Sequence, residues 1–168
     1  MAHGTTYSAI KSLLTARLTA RSGLHGVAVR YQPPLDPKDV NSVGAREAIW
    51  FGDTEGDFSN VVFCDGGLRF DEDITIVCII QVLGKESLDD QEAVDRRVEE
   101  LMLEVLAELA DPAFAAAVLA DAVLAAFDYV MVTPASQQWR VGRLGQASTA
   151  HAAGCELGIR VESRRSYP

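Results

Sequence analysis

The sequence predicts an α+β domain with a mixed or mainly antiparallel sheet and helices packed on one side of it. Three observations carry that expectation. Apolar residues recur at three- and four-residue steps near the start and in the middle of the chain, as on one face of a helix. They alternate with polar residues, as in a half-buried strand, in several segments before and after the middle helices. The resulting order is helix, a run of strands, two helices and further strands, which suits helices segregated to one side of a sheet. With 168 residues, 48% hydrophobic and 23% charged, the chain can bury a substantial core and is expected to form one domain over residues 1–168.

The first element runs from Thr6 to Arg21. Tyr7, Ile10, Leu14 and Leu18 form its stripe, Leu13 widens it, and Gly23 is available to end it. In LHGVAVRYQ, Val27, Val29 and Tyr31 alternate with small or polar residues until Pro33 and Pro34 halt a short strand. PPLDPKDVNSVG, residues 33–44, has turn formers and no apolar period, and so reads as a long loop. EAIWFG is the second strand, with Ile49 and Phe51 toward the core or, in the other register, Trp50 alone. An acidic loop over 52–60 follows. The next strand begins near Val61 or Leu68 and is clearest in DEDITIVCIIQVL. There Ile74, Ile76, Cys78, Ile80 and Val82 share a face, and Val77, Ile79 and Leu83 make the other face mostly apolar too. A strand apolar on both sides belongs in the middle of a sheet or under a partner.

Gln91 to Ala110, preceded by the possible caps Ser87 and Asp89, carries Val94, Val98, Leu101, Val105 and Leu109 on one stripe, a helix of about 30 Å at 1.5 Å per residue. Glu92, Glu100, Glu104 and Glu108 recur along its expected solvent side, relieved by Arg96 and Arg97, and form an acidic column. Asp111-Pro112 ends that helix and starts an alanine-rich one. FDYVMVT is then a strand and WRVGRL a hairpin arm within a long loop spanning 134–154. CELGIRVES closes the chain with Cys155, Leu157, Ile159 and Val161 alternating against Glu156, Arg160 and Glu162. Long loops in a compact domain are usually functional or reach another molecule, and two of them call for an outside partner.

A formal net charge of −9, from 24 acidic and 15 basic residues, disfavours gripping nucleic acid through a broad basic surface. Cys64, Cys78 and Cys155 are odd in number and widely spaced, and they read as reduced core residues of a cytoplasmic protein. No signal-peptide pattern is expected at the N-terminus, and no apolar run approaches the roughly 18 residues needed to cross a bilayer.

Candidate chemistry is sparse. Asp53, Glu55 and Asp57 place three carboxylates at every second position, a spacing compatible with a calcium or magnesium loop. An EF-hand, however, needs glycine at the sixth position and glutamate at the twelfth, where this chain has Phe58 and Cys64. A solvated acidic turn, or one facing a neighbour's arginine, is the better reading. His3, His25 and His151 lie far apart and form no paired motif; a dyad of His25 or His151 with a cysteine is disfavoured because the cysteines sit in apolar surroundings. The glycines of FCDGGLRF and RVGRLG lack the lysine and Ser/Thr of a phosphate loop and read as turns. Trp139, Arg140 and Arg143 read as a hairpin whose arginines meet acidic groups across an interface, in preference to a phosphate site. No cofactor, no metal and no catalytic residue is assigned, and the chain is expected not to be an enzyme.

The N-terminal helix, the proline-rich connection, REAIWFGD, DEDITIVCIIQVLG, the acidic helix ending at ADP and the closing alternating strand together resemble the tail terminator proteins of long-tailed, siphovirus-type bacteriophages, those of actinobacteria in particular. The resemblance spans nearly the whole chain in element order and includes no catalytic signature. It implies a virion protein assembled in the host cytoplasm: a ring, usually a hexamer, that caps the head-proximal end of the tail tube. Such a ring stops tube polymerisation and offers a docking face for head-completion proteins at the head-tail junction. Its partners would be further copies of itself, the major tail tube protein and a head-completion or stopper protein. Genomic DNA would pass through the bore without specific binding, and no membrane is involved. A head-to-tail connector or stopper, or a tail completion protein, is the nearest alternative reading, and a small metal-dependent enzyme using the Asp53 cluster a more distant one. Interface residues are expected at Trp50, Asp53, Glu55, Asp57, Phe58, Trp139, Arg140 and Arg143. If the acidic column lines the bore, Glu100, Glu104 and Glu108 would repel DNA phosphates over roughly 8 to 10 Å at ordinary salt.

Overall fold

The structure is a computed structural model that describes residues 6–33, 46–64, 67–84, 91–143 and 151–167; side chains are described throughout these except at 53–64, 67, 140–143, 151 and 167. Three helices, α1 (Thr6–Ala20), α2 (Gln91–Leu109) and α3 (Pro112–Ala120), accompany five strands: β1 (Ala28–Arg30), β2 (Glu47–Cys64), β3 (Gly67–Leu83), β4 (Tyr129–Arg143) and β5 (His151–Tyr167). Sheet order is β1-β2-β3-β5-β4. The β1–β2 pair is parallel and the other three are antiparallel, so the sheet is mixed, as expected of an α+β domain.

Alternation decides which face of the sheet is covered. Ile74, Ile76, Cys78, Ile80 and Val82 of β3 pair with Val161, Ile159, Leu157, Cys155 and Ala153 of β5, and Ile80 and Cys78 also pair with Ile49 and Phe51 of β2. All of them are buried, and their face packs against Ile10, Leu14 and Leu18 of α1 and Val94, Val98, Leu101, Met102 and Val105 of α2. A fully buried Ile or Phe of this kind stabilises the fold by about 1.5–3 kcal/mol. β3 thus takes the middle position that its two-sided apolar pattern required. The other face carries no helix of the described residues, and there Trp50, Val77, Ile79 and Leu83 are only partly buried.

Local chemistry sets the remaining boundaries. Asp111 caps α3 by accepting from the Ala113 N–H at 2.8 Å, with Pro112 at the first helical position. Gly26 turns the chain into β1 with φ of 88°, in the left-handed region that glycine enters without steric cost. Pro134, which cannot donate to a ladder, lies in the edge strand β4, followed by a bulge between Pro134 and Ser136. Gly158 of β5 lies opposite that bulge, where an added Cβ would come within 2.4 Å of the Ser136 hydroxyl oxygen.

Two segments expected as loops are strands. Residues 52–60 lie inside β2, and most of 134–154 belongs to β4 and β5. Gly, Asp, Ser and Asn signalled turns there, but in β2 the register shifts between Phe51 and Thr54 and between Asp57 and Asn60 take up Gly52, Asp53 and Ser59, while Gly56, Asp57 and Asn60 pair in register with β3. LHGVAVRYQ yields only the three residues of β1, preceded by a helical turn at Ser22–Leu24. The expected loop at 33–44 and the caps Ser87 and Asp89 fall almost wholly outside the described residues.

Candidate functional site

Of the expected interface residues, Trp50 sits on β2 beside Ile79 of β3, on the helix-free face and half-buried, while its neighbours Ile49 and Phe51 are fully buried in the core. The first of the two registers considered for this strand is the one found. Asp53, Glu55, Asp57 and Phe58 all belong to β2; Glu55 and Asp57 hold register positions opposite Thr75 and Asp73. Their side chains lie outside the described residues, so their metal-binding geometry does too. Trp139, Arg140 and Arg143 belong to β4, opposite Cys155, Gly154 and His151; Trp139 is 45% exposed. The two groups therefore occupy strands on opposite sides of the sheet: β4 is one edge, and β2 is flanked beyond only by β1, which pairs with Ala48, Ile49 and Trp50. Among the described residues, no strand pairs with the outer side of β2 from Phe51 to Cys64.

The helix-free face divides in two along the strands. At one end are Trp50, Val77 and Ile79. At the other, charged residues satisfy one another across strands: Arg160 binds Asp73 through two hydrogen bonds of 2.8 and 2.6 Å and lies 2.8 Å from Glu162. Asp71 accepts from Arg69 at 3.1 and 2.8 Å and from Arg164 at 2.9 Å. The guanidinium of Arg69, with that of Arg164, holds the Asp71 carboxyl down at about 2, and Arg160 lowers that of Asp73. On β4, Tyr129 and Met131 add exposed apolar surface and take register positions opposite Arg164 and Glu162.

The acidic column of α2 needs correction. Glu108 is buried, at 3% exposure, and is held by Arg17 of α1 and by Arg21 at 3.0 Å. Glu104 pairs with Arg21 at 2.5 Å, and Arg17 also lies 3.8 Å from Asp111. Four-residue spacing drifts around a helix, so the C-terminal end of the column turns toward α1, where two arginines meet it. Within this chain Glu108 cannot serve as the exposed, bore-facing carboxylate first expected of it. Glu100 remains largely exposed, bound to Arg97 at 2.8 Å, while Arg97 also clamps Glu47 of β2 at 2.9 and 2.8 Å. Glu92 is exposed beside Arg96.

Sequence reading also missed Lys11. It sits in the apolar stripe of α1, one turn after Tyr7, and is buried. Its ammonium donates to the Gly52 carbonyl at 3.1 Å and stands 5.0 Å from the centre of the Tyr31 ring. A lysine at a core position of an amphipathic helix was the available signal. Thr6 and Ser163 both donate to Glu72, which joins the start of α1 to β3 and β5.

Cys78 and Cys155 are free and buried. Burial first, and then neighbouring Cys155, pushes the Cys78 thiol up to about 12, and burial raises that of Cys155. Thiols so shifted are poor nucleophiles at neutral pH. His25 lies exposed in the turn before β1. Among the described residues no group of three or more His, Cys, Asp or Glu side chains is arranged to hold a metal ion, and no helix is long and apolar enough to cross a membrane. No protein-family model matches the chain, and no curated protein is significantly similar to it.

Proposed function

We propose that this chain is a structural virion protein, a tail terminator subunit of a siphovirus-type phage, which assembles as a ring, with six copies the expected number, on the head-proximal end of the tail tube. The ring stops tube polymerisation, receives the head-completion proteins and lets the genome pass through its bore. The observation that supports this reading best is the construction of the sheet. Among the described residues, helices cover one face only and the other face carries half-buried Trp50, Val77 and Ile79, while long β4 forms one edge of the sheet and long β2 extends past the three-residue edge strand β1 on the other side. Unpaired edges and partly apolar faces invite association unless they are covered. An α+β subunit of this kind is also what the resemblance in REAIWFGD, DEDITIVCIIQVLG and the closing strand implies.

Light scattering on the purified chain tests the proposal: the expected mass is about six times 18.1 kDa. Added to polymerising tube protein, the chain should cap the tubes and shorten them. A protein that stays monomeric even beside tail tubes refutes the reading.

A further inference from the structure

The long outer strands, β4 at one edge of the sheet and β2 on the other side just inside three-residue β1, carry opposite charge. β2 holds Glu47, Asp53, Glu55 and Asp57 and no basic residue; β4 holds Arg140 and Arg143 and no acidic one. Each offers a backbone run free of bulges, Thr54–Asp57 between the two register shifts of β2 and Ser136–Arg143 after the one of β4, the latter past the only proline of that strand.

Resting on the ring reading above, we infer that neighbouring subunits join edge to edge, the β4 strand of one copy pairing with the outer side of β2 in the next, so that the sheet continues around the ring. Strand direction permits this. β2 runs opposite to β3, β3 opposite to β5 and β5 opposite to β4, so β2 and β4 run in opposite directions within one chain. Rotation about a ring axis preserves each strand's direction along that axis, and β4 of one copy therefore meets β2 of the next antiparallel, the slightly more stable pairing. Charge selects the same arrangement. A two-fold dimer through β4 would set Arg140 and Arg143 against their own copies, and one through β2 would oppose carboxylates to carboxylates. Only the heterologous, head-to-tail contact brings the acidic strand to the basic one, and that is the kind of contact a closed ring is built from, whereas a two-fold dimer needs a self-complementary one.

Two charge variants test the pairing by native mass spectrometry. The first, Asp53→Arg with Glu55→Arg and Asp57→Arg, makes both edges basic; the second, Arg140→Glu with Arg143→Glu, makes both acidic. Each alone should lose assembly at concentrations where the unaltered chain forms rings. Mixed, they should restore rings with the two variants in equal number, because each basic edge then finds an acidic one. Circular dichroism checks that both variants are folded. Rings formed by each variant alone as readily as by the unaltered chain would overturn the edge pairing and leave the ring reading standing, and so would a folded mixture that stays unassembled. A monomeric unaltered chain would overturn both.

Discussion

Replacing Glu108 by alanine distinguishes a carboxylate on an outer helix face from one that holds two helices together. An exposed glutamate contributes within about 0.5 kcal/mol to stability. The structure instead buries Glu108 between Arg17 and Arg21, and hydrogen bonds to charged groups contribute about 1.5–3 kcal/mol each. Two such bonds give a gross loss of about 3–6 kcal/mol. The loss is reduced because Arg21 keeps Glu104, Arg17 keeps the more distant Asp111, and both guanidinium side chains are about a quarter exposed, so water can reach them. A net destabilisation of about 2 kcal/mol is expected, equivalent to a fall in Tm of about 4–8 °C for a chain of this size. Urea denaturation of Glu108→Ala beside Glu100→Ala is the assay, with Glu100 as the exposed control whose partner Arg97 retains Glu47. A loss below about 0.5 kcal/mol for Glu108→Ala, equal to that of the control, would refute the packing of α1 on α2 described above.

Other expectations follow from the same geometry. Phe51→Ala should cost about 3–5 kcal/mol in urea denaturation, whereas Trp50→Ala, which removes a half-buried ring from the helix-free face, should weaken assembly in sedimentation more than it weakens folding. The carboxyls of Asp71 and Asp73 titrate lower in the folded chain than in the unfolded one, so their contribution is present above about pH 4 and is lost as pH falls toward 2. Asp71→Asn should flatten the acid limb of the stability profile in that window and leave its slope near pH 8 unchanged. In a Cys64→Ser background, Cys78 and Cys155 should resist a thiol reagent at pH 8 until the chain unfolds; rapid labelling under native conditions would contradict their burial.

The core was legible because its signal is periodic. Ile74 to Val82 and Cys155 to Val161 alternate without interruption, and Val94, Val98, Leu101 and Val105 keep helical spacing, so each stretch names its own buried face. The long hairpins were not legible, since Gly52, Gly56 and Pro134 signal turns wherever they occur, and only the partner strand reveals that Gly52 falls within a bulge while Gly56 and Pro134 pair in register. The direction of Glu108 was hidden for a similar reason: charge spacing along α2 says nothing of Arg17 and Arg21, which lie about ninety residues earlier. Trp50 and Trp139 stood out because a large aromatic beside polar residues is unusual. That they fall on strands at opposite sides of one sheet emerges only from the strand order.

The two ends of the helix-free face call for different treatment by water. Arg69, Arg160 and Arg164 each find a carboxylate within the same chain, so that end is electrostatically satisfied as it stands and gains little from a partner's charges. The Trp50, Val77 and Ile79 end has no such answer among the described residues, because apolar surface is satisfied only by being covered. A partner meeting this face therefore gains most by approaching near Trp50, where β1 leaves β2 and, among the described residues, no further strand pairs with the outer side of β2. Face and edge are adjacent there, so in the proposed ring one neighbouring subunit would cover the apolar surface while extending the ladder.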